Sequence, residues 1–493
     1  MLTEPIGSSL GVLAEAAEAR FGTQSSLLFE GTTCTSADIG SRARRFAAGL
    51  SSFGVRAGDR VAVCMANCPE VLVSYQAIWR VGAAVTPLLF LLSVDELRYA
   101  LTDSGAAAIV TTPEFLPKVV AASQGLDLHV VVTGDAVEGA ASFTELCAGD
   151  EAPLVRVDPG EMAALLYTGG TTGRSKGVVL SHDAMSYAAW AGVKSGEHDG
   201  FTAGLLPLPL AHAFGLTVSV LAMHAVRPTR TVLMRWFDPV GWLQYVHTER
   251  VEHGALVPTM LRLLATQPLE DYDLSSLRKL TSGSAPLPAE IAERWARRVP
   301  NCEVVEGYGC SETAALATLT PSGQNRRGSV GRAAPGVEVR LDDGEICIKS
   351  PSLMSGYWHD PATTATALRD GWFHTGDVGR IDADGYVYIL DRLKDVIIRN
   401  GFNVYPRDVE DALMRHPAVA VCAVVGRADE ESGEEIVAFV QPVPDSTVTA
   451  EELIAWSREH MSAVKYPREV RLIDQLPLTS IGKLDRKALR VRL

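Results

Sequence analysis

The sequence is poor in the features that mark secreted, membrane-spanning and metal-binding proteins. Its eight cysteines are scattered over 493 residues, and no clusters among them have the spacing of a metal site. The longest apolar stretches, 81–92 and 214–226, are shorter than a membrane span and contain polar residues. The first residues lack the basic and apolar regions of a signal peptide. We therefore expect free, buried thiols in a cytoplasmic protein with no membrane span.

Positive charge is also scarce. The formal net charge of −14 argues against nucleic acid or an anionic membrane as a partner, because both require a basic surface. A substrate that bears phosphates would need local positive side chains or a metal ion to offset the negative net charge of the protein. What the sequence does have is an ordinary globular composition, with 47% hydrophobic and 21% charged residues. A chain of this length is expected to form two or more domains.

Alternating helical and strand patterns predict an α/β fold. Helices are predicted over 35–53, 70–81 and 96–102, with Ser36 as a candidate N-cap, and apolar strands over 60–65, 83–89 and 106–110, the second of them broken by Pro87. The alternation returns between 162 and 305. Strands that alternate with helices indicate largely parallel sheets covered by helices.

The pattern changes after about residue 336. Short strands are predicted over 337–341, 345–349 and 386–390, followed by a compact α/β unit with a helix that begins at Pro406, strands over 419–425 and 435–443, and a helix over 451–460. We place the domain boundary in the charged stretch between them. The predicted domains are 1–391 and 392–493.

The most informative segment lies between residues 167 and 177, directly after an apolar run. Its candidate phosphate-binding residues are Thr168, Gly169, Gly170, Thr171, Thr172, Gly173 and Lys176. Glycine lets backbone N–H groups approach an anion, hydroxyls add donors and lysine adds positive charge. The segment is not a Walker A loop, because no Gly-Lys-Ser/Thr ends it. A flexible polar linker is the alternative, which the closely flanking apolar strands disfavour.

This segment resembles the phosphate-binding signature of the adenylate-forming superfamily, which includes acyl-CoA synthetases, luciferases and peptide-synthetase adenylation domains. The resemblance extends from about residue 35 to 487 and fits the acyl-CoA synthetase branch. It implies a large N-terminal domain of mixed, largely parallel sheets between helices, with a small β-barrel-like part, and a small mobile α/β C-terminal domain. Ser175 stands where the family usually has proline, which would loosen the loop without removing a functional group.

Further segments resemble the nucleotide site of that family. The resemblance implies that Tyr308 stacks on adenine, that Ser311 faces the α-phosphate and that Glu312 helps to hold Mg²⁺. An aromatic face suits a nucleobase, and a hard carboxylate suits a hard cation. An ordinary surface carboxylate is the alternative for Glu312. The other residues implied around ATP or AMP are Gly283, Ser284, Ala285, Pro286, Gly307 and Gly309.

The remaining nucleotide contacts are implied near the predicted domain boundary. Asp377 corresponds to the carboxylate that accepts hydrogen bonds from both ribose hydroxyls, and a carboxylate is a natural bidentate acceptor for a diol. Arg392 would contact the nucleotide, and Lys394 would be the hinge on which the small domain rotates between the two half-reactions. A turn aspartate and an ordinary charged linker are the alternatives.

The resemblance also implies an acyl pocket and a thiol tunnel. The pocket residues are His212, Phe214, Gly215, Val257, Gly283, Gly307 and Ala314. These side chains are mostly small or apolar, which favours an uncharged acyl group, aromatic or aliphatic. Gly401 and Phe402 would line the tunnel for the coenzyme A arm.

Lys483 and His212 are the candidate catalytic residues. Attack of the acid on the α-phosphate of ATP releases pyrophosphate and makes AMP the leaving group, after which a thiol takes the acyl group. Such chemistry needs positioning and charge stabilisation rather than a protein nucleophile. Lys483, Lys176 and Mg²⁺ would offset the phosphate charge, so ATP, Mg²⁺ and coenzyme A are expected.

Other functions stay open from the sequence. The acyl group could pass to the phosphopantetheine of a separate carrier protein, although Lys483 lies too near Leu493 for a fused carrier domain to follow it. An enzyme of one half-reaction, a luciferase-like oxygenase or a nucleotide-binding protein without catalysis are further alternatives. The Gly-x-Ser-x-Gly pattern at residues 7–11 has no preceding strand, so we do not interpret it as a hydrolase motif.

Overall fold

A computed structural model describes residues 7–168, 175–196, 199–478 and 484–493. The chain divides into two compact units. The first comprises Met1–Val339 and Ile348–Phe373, and the second comprises Arg340–Cys347 and His374–Leu493. None of the helices in the described ranges is long and apolar enough to cross a bilayer.

The helices are distributed over both units. In chain order they are α1 (Leu10–Phe21), α2 (Ser36–Ser52), α3 (Pro69–Arg80), α4 (Val94–Ser104), α5 (Leu116–Ser123), α6 (Phe143–Leu146), α7 (His182–Ser195), α8 (Ala213–Leu221), α9 (Pro239–Glu249), α10 (Pro258–Leu264), α11 (Ala289–Arg298), α12 (Pro361–Ala367), α13 (Pro406–Leu413), α14 (Ala450–His460) and α15 (Arg486–Arg490).

The strands form four sheets. In chain order they are β1 (Ser26–Phe29), β2 (Thr32–Thr35), β3 (Arg60–Cys64), β4 (Ala84–Pro87), β5 (Ala108–Thr111), β6 (His129–Val132), β7 (Ala141–Ser142), β8 (Met162–Thr168), β9 (Lys176–Ser181), β10 (Ala203–Leu206), β11 (Arg230–Leu233), β12 (His253–Leu256), β13 (Lys279–Ser282), β14 (Glu303–Tyr308), β15 (Thr318–Leu319), β16 (Arg332–Ala333), β17 (Glu338–Asp342), β18 (Glu345–Lys349), β19 (Gly356–Tyr357), β20 (Leu368–Arg369), β21 (Trp372–Ile381), β22 (Val387–Arg392), β23 (Ile397–Arg399), β24 (Phe402–Val404), β25 (Val419–Asp429), β26 (Gly433–Pro442) and β27 (Glu469–Leu472).

Two large sheets build the first unit. One has the order β19-β9-β8-β4-β3-β5-β6-β7, and the other has the order β16-β15-β14-β13-β12-β10-β11-β1-β2. Their central strands pair in parallel, as the strand–helix alternation predicts. Both faces of such strands are covered, which explains why β5 is buried along its whole length. Beneath the second sheet, Trp242 and Trp295 pack edge to face with centroids 6.4 Å apart in the core.

The second unit contains a sheet of order β24-β23-β26-β25, with β27 parallel to β26. The long β25–β26 hairpin and α13 bury the apolar cluster that includes Val409, Leu413 and Val424. A smaller sheet has β17, β18, β21 and β20 side by side and β22 against β21. Its strands β17, β18 and β21 each continue across the division between the units. The predicted fold class, α/β with a small additional β part and a smaller C-terminal domain, is thus confirmed.

Local details differ from the sequence prediction at two places. Thr35, not Ser36, caps α2, because its hydroxyl accepts the Asp38 N–H while the Asp38 carboxylate accepts the Thr35 N–H in a capping box. Strand β4 ends at the predicted break, Pro87, and does not resume up to residue 89, since proline has no N–H to extend the ladder. The predicted boundary between 391 and 392 and the hinge at Lys394 concern movement and remain predictions.

Candidate active site

The predicted pocket residues follow the ends of four adjacent strands. Strands β10, β12, β13 and β14 lie side by side and parallel. Parallel strands end at the same edge of a sheet, so the segments that follow them meet there. These segments carry 207–215 after β10, Val257 after β12, 283–286 after β13 and 309–314 after β14. Sequence positions more than a hundred residues apart thus share one edge.

Phe214 packs against the backbone of Gly283 at this edge, beside Gly307. A Cβ atom added to Gly283 would lie 3.3 Å from Phe214 Cε1 and 3.7 Å from the Gly307 carbonyl oxygen. A Cβ on Gly215 would lie 2.1 Å from the Pro209 carbonyl oxygen, so only glycine allows α8 to approach that segment. The edge therefore combines the partly exposed Phe214 ring with the backbone of Gly283 and Gly307.

His212 caps α8 at the same edge. Its Nδ1 accepts a hydrogen bond from the Phe214 N–H at 3.3 Å. An accepting Nδ1 carries no proton, so the neutral ring has its proton on Nε2. The cap thus fixes the tautomer and the orientation of His212, the residue for which the family resemblance implies a position between the acyl pocket and the thiol tunnel.

The segment after β14 is folded tightly. Ser311 and Glu312 lie in a 3₁₀ turn, Ser311–Thr313, and Ala314 and Ala315 follow with φ of +48° and +68°. A Cβ on Gly309 would lie 2.4 Å from the Ala315 backbone, so only glycine fits between Tyr308 and the turn. The buried Ala314 is anchored where its carbonyl oxygen accepts the Thr217 hydroxyl from α8 at 2.8 Å. Tyr308, Ser311 and Glu312 thus follow one strand end, and Ala314 joins this turn to the pocket helix.

The neck of the phosphate loop is closed. Thr168 ends β8, Lys176 begins β9, and the two residues pair across the hairpin. The Ser175 hydroxyl donates to the Thr168 carbonyl oxygen at 2.5 Å. Ser175, which we expected to loosen the loop, thus ties its two ends together. Gly169, Gly170, Thr171, Thr172 and Gly173 lie outside the described residues.

Tyr357 connects the loop lysine with the candidate metal ligand. Strand β19 pairs with β9, which brings Tyr357 beside the start of β9. The Tyr357 hydroxyl donates to Glu312 Oε1 at 2.9 Å, and Lys176 Nζ lies 5.1 Å from the centre of the tyrosine ring. The Met354 N–H also donates to the Glu312 carbonyl oxygen at 2.8 Å. A carboxylate has about four acceptor sites, so one hydroxyl leaves capacity for a hard cation, and the residues present fit Mg²⁺.

In the second unit, Asp377 and Arg392 are direct cross-strand neighbours on β21 and β22. Asp377 Oδ1 lies 2.7 Å from Arg392 Nε, and the carboxylate is buried whereas the guanidinium is half exposed. Asp391, next to Arg392, accepts the backbone N–H groups of Arg392 and Arg407 at 2.8 and 2.9 Å. Burial raises the pKa of Asp391. The pair that the sequence assigns to the nucleotide is thus formed within one hairpin.

Lys394 and Gly401, two other predicted residues of the second unit, lie in turns, and Phe402 begins β24. Lys394 is exposed in a 3₁₀ turn, Leu393–Asp395, directly after β22. Gly401 has a φ of +78° between β23 and β24, and Phe402 beside it is 58% exposed. An exposed position is accessible, as a tunnel-lining residue must be.

Lys483 lies outside the described residues, but the segments that flank it are well anchored. Leu478 and Leu484 form a bridge across the loop, and Asp485 N–H donates to the Pro477 carbonyl oxygen at 2.9 Å. Arg486 then donates to both oxygens of the buried Glu410, at 2.7 and 2.9 Å. Glu410 Oε1 also accepts the Val424 N–H at 2.8 Å, and burial raises the pKa of Glu410.

Comparison with known proteins matches this arrangement. The pattern of the AMP-binding enzyme family covers residues 14–358, and that of the AMP-binding enzyme C-terminal domain covers residues 408–483. This chain belongs to the AMP-binding enzymes.

Relatives of this AMP-binding enzyme are acid–CoA ligases. It is 38% identical to the feruloyl-CoA synthase of Amycolatopsis over 94% of each chain, and 32% identical to the long-chain-fatty-acid–CoA ligase of Bacillus subtilis over 97% of this chain and 93% of that one. The ATP-bound MatB of Rhodopseudomonas palustris is 31% identical and superposes with a TM-score of 0.90 over 98% of this chain and 99% of that one. The chain is an AMP-forming acid–thiol ligase, which converts a carboxylic acid to its adenylate with ATP and then to a coenzyme A thioester.

The sequence predicted most residues of the edge and missed two residues that hold site segments in place, each within its own unit. Tyr357 contacts Glu312, and Glu410 anchors Arg486, but neither lies in a motif that we had connected with the chemistry. No local signal could have revealed them, because each partner is at least 45 residues away. The roles of the individual site residues remain proposals.

Proposed function

We propose that this ligase activates an uncharged aromatic carboxylic acid. The observation that carries the proposal is the apolar edge at which the partly exposed Phe214 ring packs beside Gly283 and Gly307. A flat acyl group would lie against the part of the Phe214 ring that does not contact Gly283. The greater identity to the feruloyl-CoA synthase than to the fatty-acid ligase supports an aromatic acid over an aliphatic one.

In the first half-reaction the acid attacks the α-phosphate of ATP and pyrophosphate leaves. We assign the adenine to Tyr308 and the segment 283–286, the ribose to Asp377, and the phosphates to the 168–176 loop, Ser311 and Arg392. Lys176 and Lys483 offset the charge that builds up on the phosphate oxygens. Glu312 would hold Mg²⁺, which supplies positive charge to the phosphates when bound.

In the second half-reaction the thiol attacks the acyl carbonyl carbon and AMP departs. We assign the thiol path to Gly401 and Phe402, which are exposed on a turn of the second unit. His212, whose Nε2 carries the proton, orients the acyl carboxyl end or the thiol. We propose Lys394 as the hinge between the two half-reactions.

Two alternatives are kept as outcomes of the test. The match to the Bacillus ligase favours a long-chain aliphatic acid as the second candidate substrate. A carrier-protein phosphopantetheine is the second candidate acceptor.

All eight cysteines are thiols and not disulfides, which supports a reducing location such as the cytoplasm.

The test is acid-dependent exchange of pyrophosphate into ATP, without a thiol, across cinnamic, benzoic, arylacetic and straight-chain fatty acids. We expect exchange with one class of aromatic acid, followed by thioester formation when coenzyme A is added. Exchange with fatty acids alone would overturn the aromatic assignment. Exchange without transfer to coenzyme A, but with transfer to a carrier protein, would overturn the assigned acceptor.

A further inference from the structure

The three residues that directly precede Asp377 in β21 form the segment 374–376. Gly376 has a φ of +69°, a conformation that favours glycine. The Asp377 N–H donates to the Thr375 hydroxyl at 3.0 Å, and that hydroxyl donates to the Ile346 carbonyl oxygen at 2.8 Å. The direction of the Asp377 carboxylate therefore depends on how the segment 374–376 is held against β18.

One carboxylate on β18 holds both ends of that segment. Glu345 Oε1 accepts the Gly376 N–H at 2.8 Å, and Glu345 Oε2 lies 2.9 Å from His374 Nδ1. The side chains of Glu345 and His374 are only 14% and 6% exposed. Hydrogen bonds to a buried carboxylate are stronger than neutral ones and fix geometry as well as energy.

The opposite side of Asp377 is held less firmly. Arg392 pairs with the Asp377 carboxylate, but the arginine side chain is 52% exposed and long, so it can follow the carboxylate as it moves. Glu345, by contrast, binds the backbone directly before Asp377 and is itself buried. A diol is accepted by two carboxylate oxygens only when both are correctly placed, so the anchor that sets the backbone sets the fit.

We propose that Glu345 is a positioning residue for ATP: it fixes the 374–376 segment so that Asp377 accepts both ribose hydroxyls. This inference rests on the proposed role of Asp377 as the ribose ligand. Glu345 acts through the backbone of Gly376 and the ring of His374, and its effect should therefore appear only in what the enzyme senses at the ribose.

The test compares ATP with 2′-deoxy-ATP, by calorimetric binding and by KM in pyrophosphate exchange. Glu345→Gln keeps the size of the side chain, but its amide has only one oxygen and therefore cannot accept the hydrogen bonds of Gly376 and His374 on two separate oxygens. We expect it to weaken ATP binding by about tenfold, to leave the KM of the acid unchanged, and to reduce the preference for ATP over 2′-deoxy-ATP by a similar factor. Asp343→Asn is the matched control, because Asp343 is an exposed carboxylate at the tip of the same hairpin. It should leave all three values unchanged.

Opposite results are distinguishable. If Glu345→Gln lowers only kcat or thermal stability and keeps the full preference for ATP over 2′-deoxy-ATP, the residue is merely structural and the inference is wrong. Wild-type protein that binds both nucleotides equally would overturn the assignment of Asp377 and the inference with it. The calorimetric binding of ATP and 2′-deoxy-ATP needs no acid. An error in the proposed aromatic substrate would therefore not affect the conclusions about Asp377 and Glu345.

Discussion

The two units hold their site residues in different ways. In the first unit, four parallel strands end together, and the backbone of the sheet places Phe214, Gly283, Gly307 and the Tyr308 turn at one edge. In the second unit Asp377 and Arg392 pair across the β21–β22 hairpin, and single carboxylates hold segments next to the site residues. Glu345 holds the segment before Asp377, Asp391 lies at the end of β22, and Glu410 holds the segment after Lys483.

The difference indicates where each unit is vulnerable. The edge of a sheet is held by many backbone hydrogen bonds, none of which depends on a single side chain. Replacing one side chain there should therefore change the selectivity for the acid more than it changes the structure. A turn that depends on one buried carboxylate should lose its geometry when that carboxylate is replaced. The predictions below test this contrast, from the largest expected effect to the smallest.

Lys483→Ala should abolish adenylation and spare the thiol step. Loss of a positive charge aimed at the developing phosphate charge is expected to reduce pyrophosphate exchange on the order of 10³-fold. Transfer from a synthetic acyl-adenylate to coenzyme A should stay within a few-fold of wild type. Lys487→Ala, at an exposed lysine nearby, is the control. Normal exchange by Lys483→Ala would show that the lysine is not catalytic.

Glu410→Gln should loosen the second unit. The change leaves Arg486 without its anionic partner in a largely buried position and should cost about 3 kcal/mol of local stability. Hydrogen exchange of the peptide that contains β25, measured on the full chain, reports the loss. The exposed Glu430, replaced by glutamine, should change nothing. Equal protection in both variants would mean that the ion pair does not hold this unit together.

Tyr357→Phe should weaken the binding of the divalent cation without disturbing the sheet. The variant loses the hydroxyl that donates to Glu312 and keeps the ring beside Lys176. The Mg²⁺ concentration for half-maximal exchange should rise roughly tenfold, as expected for a hydrogen bond to a charged group. Tyr245→Phe, on the distant helix α9, provides the control for a lost tyrosine hydroxyl. If the Mg²⁺ dependence of exchange were unchanged, Glu312 would not be a ligand of the metal ion.

Gly283→Ala should change the choice of acid by about fivefold, which corresponds to about 1 kcal/mol, the lower end of the effect of one methyl group in an apolar site. The added carbon would stand 3.3 Å from Phe214, so the ring must shift by a few tenths of an ångström while the strand register stays. Ring-substituted cinnamic acids should lose exchange relative to unsubstituted cinnamic acid. A uniform loss for every acid would point instead to damage at the adenine segment.

The sequence predicted the sheet edge well because its signals are local. An apolar strand followed by glycine, as at Ser282-Gly283, indicates a strand that ends at a loop. The parallel alternation then implies that such loops meet. The phosphate-loop neck at Thr168 and Lys176 follows from the same reasoning.

The carboxylate anchors and Tyr357 could not be predicted in this way. Glu345 and Glu410 look like ordinary charged residues of a strand and a helix, and their burial depends on partners 29 to 76 residues away. Likewise Thr35 and Ser36 are both acceptable N-caps, and only the position of Asp38 relative to the cap decides between them. Such choices depend on tertiary packing, which local pattern does not contain.

The convergence of four loops on one sheet edge also bears on how such an enzyme can evolve. Each loop follows a different strand, so a substitution at Val257, Gly283 or Phe214 leaves the hydrogen-bond registers of the other strands intact. Natural selection can therefore test new acids one residue at a time on an unchanged scaffold. The segments of the second unit that depend on a single carboxylate, Glu345 or Glu410, offer no comparable freedom, so they are under the stricter constraint.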